Sequence, residues 1–98
     1  MYKRIDANQT EIVSALRAAG ATVRSLAALG CGVPDLLVGW QGVNYLVEVK
    51  NLAGRGDKLT PAEDEFITTW RGQVAKVLTV NDALRLLMPP QPEQDDPC

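Results

Sequence analysis

The sequence contains no histidine and only two cysteines among its 98 residues. Without histidine, His-based zinc sites, His-dependent catalytic triads and a His general base are excluded. Cys31 and Cys98 are too few for a disulfide framework. No apolar run approaches the ~18 residues that span a bilayer. We therefore expect a soluble, cytoplasmic protein with no membrane partner, whose chemistry depends on other side chains.

The chain also lacks a large excess of charge of either sign, since its formal net charge is -2. Without residues 91–98, ten Lys and Arg stand against nine Asp and Glu. This is not the strongly basic profile of a nonspecific DNA binder. The length predicts one domain over 1–90, followed by a disordered acidic and Pro-rich tail over 91–98. Because so small a domain buries a limited core, we expect a homodimer.

Three helices are predicted from their start and stop signals. Asn8 is a candidate cap for the first, with Glu11 at the position that completes a capping box. Gly20 ends this helix. The second helix is predicted over 61–71 with Thr60 as its cap, and the third over 82–88 with Asn81 as its cap.

Four strands are predicted from apolar alternation between turn residues. Their ranges are 21–29, 34–40, 43–50 and 74–80. The helix between the last two strands implies a parallel crossover, whereas the first three form a meander. The predicted class is α/β (α+β by stricter naming), with a mixed four-stranded sheet flanked by helices in the order α-β-β-β-α-β-α.

The turn Gln41-Gly42 fixes the register of the predicted hairpin. A two-residue loop pairs the strands so that Asp35 lies opposite Glu48, with Cβ atoms about 4.5–5.5 Å apart. A three-residue loop would shift this pairing by one residue. Side chains two apart in a strand share a face, so Lys50 points the same way as Glu48.

Two carboxylates at this spacing repel each other, and one pKa should rise. Lys50 offsets part of the repulsion. A divalent cation would offset more, since Mg²⁺ favours carboxylate oxygens and retains several waters. The alternative is structural: Asp35 is a turn residue, and Glu48 and Lys50 belong to a solvated strand edge.

The segments 32–37 (Gly-Val-Pro-Asp-Leu-Leu) and 46–51 (Leu-Val-Glu-Val-Lys-Asn) resemble the PD-(D/E)xK nuclease signature. More narrowly, they resemble the VRR-NUC branch, whose small stand-alone members occur in phages and bacteria. The similarity covers most of residues 8–88. It implies a restriction-endonuclease-like core and hydrolysis of phosphodiester bonds with Mg²⁺ or Mn²⁺ as cofactor.

The resemblance also implies roles for the residues at the matching positions. Asp35 and Glu48, with the Val49 carbonyl, would ligate the metal, and Glu11 would complete the site. Lys50 would orient or activate the attacking water and stabilise the developing charge. This chemistry needs no histidine. The alternative role of Glu11 is the capping box, and the two roles conflict because a capping carboxylate points at its own backbone.

The resemblance and the positions of three further residues suggest roles for them. Glu63 stands where family members often carry Gln, and here it completes a capping box with Thr60. Arg55 and Lys58 lie on the Gly-rich loop after Lys50, where they could grip phosphates. The alternative is that they are solvated charges on a loop.

The resulting hypothesis is a metal-dependent DNA endonuclease with no organic cofactor. A homodimer would set two sites against a two-fold substrate such as a four-way junction, so selectivity for branched DNA is expected. One alternative is a non-catalytic nucleic-acid- or protein-binding module on the same fold. Another is a structural protein with surface acids. The complete set of Asp35, Glu48 and Lys50 favours the enzyme, because a pure binder has little reason to juxtapose two acids against a polyanion.

Overall fold

A computed structural model describes residues 7–51 and 58–88. In chain order its elements are α1 (Ala7–Ala18), β1 (Thr22–Ser25), β2 (Leu36–Trp40), β3 (Val43–Val49), α2 (Pro61–Thr69), β4 (Val74–Val77) and α3 (Val80–Leu86). None of these described helices is long and apolar enough to cross a membrane. The predicted order of elements is confirmed. The predicted tail over 91–98 lies outside the described residues.

The four strands form one mixed sheet in the order β1-β2-β3-β4. The first two pairings are antiparallel, and β3 pairs with β4 in parallel, as predicted. The turn between β2 and β3 has positive φ at both central residues, 48° at Gln41 and 81° at Gly42. This is the pattern of a type I′ turn, whose twist matches that of the flanking strands. Trp40 therefore lies opposite Val43, and the predicted hairpin register is confirmed.

The core lies on one face of the sheet, against α1 and α3. Strand alternation sets this face: Leu36 and Val38 are buried, whereas Leu37 between them is 38 % exposed. The buried apolar side chains are Ile12, Leu16, Ala21, Val23, Leu36, Val38, Val47, Val77, Ala83 and Leu87. Because Glu48 follows Val47 in β3, its side chain points to the opposite face.

The start of α1 differs from the sequence-based prediction. The helix begins at Ala7, so Asn8 lies inside it and its predicted role as cap is wrong. The Asn8 side-chain amide instead donates to the carbonyl oxygens of Lys50 at 2.8 Å and Leu78 at 3.1 Å. It thereby ties the first turn of α1 to the residues that follow β3 and β4. The predicted end of the helix is confirmed, since Gly20 has a φ of 100° just after it.

Three strand boundaries differ from the predictions by two residues or more. β4 ends at Val77 rather than Val80, because Val80 is already the first residue of α3. β1 ends at Ser25 rather than continuing to Leu29, and the Leu26 N–H donates to the Asp35 carbonyl at 2.7 Å. β2 begins at Leu36 rather than Pro34, since proline has no N–H to donate to the sheet.

The start of α3 is also different, and the predicted Asn81 cap is wrong. Thr79 caps the helix, and its Oγ1 accepts from the Asp82 N–H at 3.0 Å. Asp82 Oδ2 accepts in return from the Thr79 N–H at 3.2 Å. This reciprocal capping box satisfies two of the free donors at the helix start, which a cap at Asn81 would not do.

Replacing Asn8 with Ala should destabilise the fold, because it removes the donor of two part-buried hydrogen bonds. A buried acceptor left without a partner costs about 1–3 kcal/mol, and we expect a loss of that size in urea unfolding. Ser14→Ala, at an exposed position of the same helix, is the matched control and should stay within ~0.5 kcal/mol of wild type. Equal unfolding midpoints for the two variants would contradict the tethering role.

Candidate active site

Three buried carboxyl groups and one lysine meet where β2 begins and β3 ends. The exposed fractions of Asp35, Glu48 and Glu63 are 7 %, 2 % and 7 %. Lys50, directly after β3, has a side chain that is 16 % exposed. Asp, Glu and Lys are almost never buried to this extent unless they are paired. The interactions within this cluster therefore determine what it can do.

The hairpin register brings Asp35 and Glu48 together. Leu36 lies opposite Val47, and the next pair outward along the two chains is Asp35 and Glu48. The two side chains are hydrogen-bonded to each other. Asp35 Oδ2 also accepts from the Val49 N–H at 2.8 Å. The interpretation of Glu48 as a solvated edge residue is wrong, because its side chain is almost completely buried.

The pKa of Glu48 lies far above the ordinary value for a carboxylic acid. Burial raises its pKa to about 9, and the hydrogen bond and negative charge of Asp35 and the charge of Glu63 act in the same direction. Lys50 opposes them by stabilising the carboxylate. Near neutral pH the Glu48 carboxyl therefore keeps its proton.

Lys50 has a second partner that the sequence did not identify. Its Nζ lies 3.8 Å from Glu48 Oε2 but only 2.7 Å from Glu63 Oε1. Glu63 belongs to the first turn of α2, so the lysine joins the end of a strand to the start of a helix. The sequence signal for Glu63 was the capping box, and that box is confirmed.

The start of α2 is fixed against the loop that precedes Asp35. Thr60 caps the helix and Pro61 is its first residue, as predicted. Gly32, with a φ of 80°, faces the backbone of Ala62 so closely that a Cβ would overlap its carbonyl. This close approach needs a glycine both for its φ and for its missing side chain. It brings the first turn of α2 beside the carboxyl pair.

The structure does not gather every residue that the sequence suggested. Glu11 is exposed on α1 and is not among the groups that shift the pKa of Glu48. In the described part of the chain, no three or more carboxylate or thiol side chains are arranged to hold a metal ion. Glu11, Asp35 and Glu48 thus do not form one three-carboxylate group, and the role of Glu11 as a ligand stays a prediction.

Of the two candidate phosphate contacts, only Lys58 lies among the described residues. Lys58 is exposed just before α2, where a backbone phosphate could reach it. Arg55 lies outside the described residues. Their roles stay predictions.

The oxygen donors at the hairpin end suit a hard divalent cation. The N–H and C=O of a strand residue point to the same side, so the Val49 carbonyl faces the same edge as its N–H, which binds Asp35. With the carboxyl oxygens of Asp35 and Glu48, it makes a set of ligands that Mg²⁺ and Mn²⁺ prefer. A cation there would take the place of the proton on Glu48 and neutralise the charge repulsion of the pair.

No protein-family model matches this chain, and no curated protein or solved structure matches it either. The structure shows a mixed α/β fold with a buried cluster of carboxyls and one lysine. The function of this cluster therefore has to follow from its own geometry and chemistry.

In a chelating buffer, the free energy of unfolding should fall as the pH rises from about 5 to about 8.5. The folded state keeps a proton on Glu48 up to a pKa of about 9, whereas the ordinary value is 4.5. Folded protein thus binds more protons than unfolded protein in this window, and stability falls by at most about 1.4 kcal/mol per pH unit.

Urea unfolding of Glu48→Gln across this range checks the cause. The variant has no proton to lose, so its stability should depend less on pH than that of wild type. Glu65→Gln, at an exposed position of α2, is the control and should keep the wild-type slope. A Glu48→Gln slope equal to that of wild type would rule out Glu48 as the titrating group.

Proposed function

We propose that this chain is a metal-dependent endodeoxyribonuclease of the PD-(D/E)xK type, related to the VRR-NUC branch. The observation that carries the proposal is the buried pair of Asp35 and Glu48, with Lys50 beside it at the end of the hairpin. The order of the mixed sheet is compatible with a restriction-endonuclease-like core. We place the enzyme in the cytoplasm of a bacterial or phage-infected cell.

Asp35 and Glu48 would hold Mg²⁺ or Mn²⁺ together with the Val49 carbonyl. When bound, the metal ion supplies an activated water and neutralises charge on the phosphate. The hydrogen bond from the Val49 N–H fixes the orientation of the Asp35 carboxylate at 2.8 Å. Glu48 is held beside it by burial, and a bound cation would replace the proton that Glu48 shares with Asp35.

Lys50 would supply the positive charge that the reaction needs near the carboxyl pair. Its ammonium group is 3.8 Å from Glu48 and has three N–H donors, one of which Glu63 occupies at 2.7 Å. The remaining donors can orient the attacking water and bind a non-bridging phosphate oxygen. Such contacts strengthen as negative charge develops on the phosphate in the transition state.

The expected substrate is branched DNA. Because charge is nearly balanced over residues 1–90, strong nonspecific binding to duplex DNA is not expected. A homodimer would present two sites related by a two-fold axis, which fits the symmetry of a four-way junction. Arg55 and Lys58 would contact phosphates next to the cleavage site.

Cleavage of a labelled four-way junction tests the activity directly. With Mg²⁺ or Mn²⁺ we expect wild-type protein to cut the junction faster than linear duplex, flap or single-stranded DNA. Lys50→Ala should lower the rate by about 10²-fold or more, because it removes a charge that acts on the transition state. Arg85→Ala removes an exposed cation from α3, on the other side of the sheet, and should leave the rate unchanged.

The other outcomes separate the parts of the proposal. Cutting of linear or single-stranded DNA at the junction rate would keep the hydrolysis and overturn the selectivity. No cutting of any substrate by folded protein with either metal would overturn the enzyme and favour a non-catalytic binding module.

Metal binding can be tested without DNA. Mn²⁺ at ten times its Kd should stabilise wild-type protein by about 1.4 kcal/mol, which raises Tm by roughly 5–10 °C. Asp35→Asn should lose this rise. In chelator at pH 8 the same variant should be more stable than wild type, because one of two facing acids is gone and an amide oxygen can still accept from Val49.

Asp64→Asn, at an exposed position of α2, is the matched control and should keep the full response to Mn²⁺. Differential scanning fluorimetry with and without metal provides the comparison. Equal rises in Tm for the two variants would show that the metal binds elsewhere.

A further inference from the structure

One carboxylate oxygen of Glu63 links Lys50 to the start of α2. Glu63 Oε1 accepts from Lys50 Nζ at 2.7 Å and from the Thr60 N–H at 2.9 Å. The residue is 7 % exposed, so water competes little for either bond. The contact that holds Lys50 is therefore also part of a helix cap.

Glu63 is the nearer of the two acids that face Lys50. The Nζ lies 2.7 Å from Glu63 but 3.8 Å from Glu48, which is beyond hydrogen-bond length. A lysine side chain is a flexible four-carbon stem with a compact charge at its tip. The position of that charge is therefore set by Glu63 rather than by its neighbour in the same strand.

Glu63 is itself held in place from three sides. Its own N–H donates to Thr60 Oγ1 at 3.2 Å, which closes the capping box. Pro61 fixes the backbone at the first helical position. Gly32 packs directly on Ala62, next to Glu63 in the chain. These contacts fix the carboxylate before any substrate binds.

We propose that Glu63 is a positioning residue that fixes the Lys50 ammonium for phosphodiester hydrolysis, in addition to capping α2. This inference rests on the proposed function. Its consequence is that the rate of hydrolysis depends on where the helix start lies, because a displacement of α2 moves the lysine. A misplacement of about 1 Å at a reacting group can lower a rate by about 10²-fold.

Glu63→Asp separates positioning from capping. Asp already closes the equivalent box of α3, where Asp82 Oδ2 accepts from the Thr79 N–H at 3.2 Å. Glu63→Asp should therefore keep the cap but draw the carboxylate away from Lys50. We expect kcat to fall by about tenfold or more, with KM within about threefold, because substrate contacts are unchanged.

Two further variants complete the design. Glu63→Gln keeps the side-chain length and the acceptor oxygen, and should retain more activity than Glu63→Asp. Asp82→Ala removes the cap of α3, whose carboxylate binds the N–H groups of Leu78 and Thr79 and not the Lys50 ammonium, and should leave kcat within about twofold of wild type even though it lowers Tm. If Glu63 only caps the helix, Glu63→Asp keeps the wild-type kcat, and this result would overturn the proposal.

A thermal double-mutant cycle in chelator tests the contact without activity. Lys50→Met and Glu63→Ala each remove one partner of the ion pair. Because either single change already breaks the ion pair between Lys50 and Glu63, the double variant should lose about 4 °C or more less than the sum of the single losses. Additive losses would show that Glu63 does not hold Lys50.

The two readouts distinguish the two proposals. If wild-type protein cuts DNA and Glu63→Asp cuts at the same kcat, only the role of Glu63 is overturned. If wild-type protein cuts no substrate, the proposed function is overturned, and the inferred role of Glu63 in hydrolysis is overturned with it.

Discussion

The site depends on the burial of two facing carboxyl groups, Asp35 and Glu48, at the end of one hairpin. Burial raises the pKa of Glu48 to about 9, and the hydrogen bond and weakly screened negative charge of Asp35 act in the same direction. The surroundings offset this cost in three ways. Glu48 keeps a proton and hydrogen-bonds Asp35, the Val49 N–H donates to Asp35, and the Lys50 ammonium lies near Glu48. The arrangement of the whole cluster follows from these three compensations.

The facing acids could be predicted because local rules determine the hairpin. The type I′ turn at Gln41-Gly42 fixes which residues pair, and the alternation of a strand fixes which face each side chain takes. A slip of one residue would turn Val47 out of the core, so burial of that face enforces the same register. The mixed sheet and its parallel last strand followed from the order of the elements for equally general reasons.

Residues whose partners are distant in sequence could not be predicted in this way. Asn8 has the local pattern of a cap, but its amide bonds carbonyls 42 and 70 residues away. Near α3, Thr79 and Asn81 both suit a cap, and the reciprocal bond of Asp82 decides between them. Glu63 illustrates both cases. Its capping box could be predicted from the local sequence, whereas its bond to Lys50 depends on where α2 packs and could not.

The stability of the fold does not explain why these charges are buried. Replacing buried ionic groups with well-packed apolar side chains is often neutral or stabilising. Helix capping does not require burial either, because Asp82 closes the same kind of box at a partly exposed position. Glu63 differs from Asp82 in being buried and in sharing its oxygen with Lys50. Strongly perturbed ionisable groups cluster at functional sites, so the unfavourable burial concentrated at this one end of the hairpin supports a chemical role over a structural one.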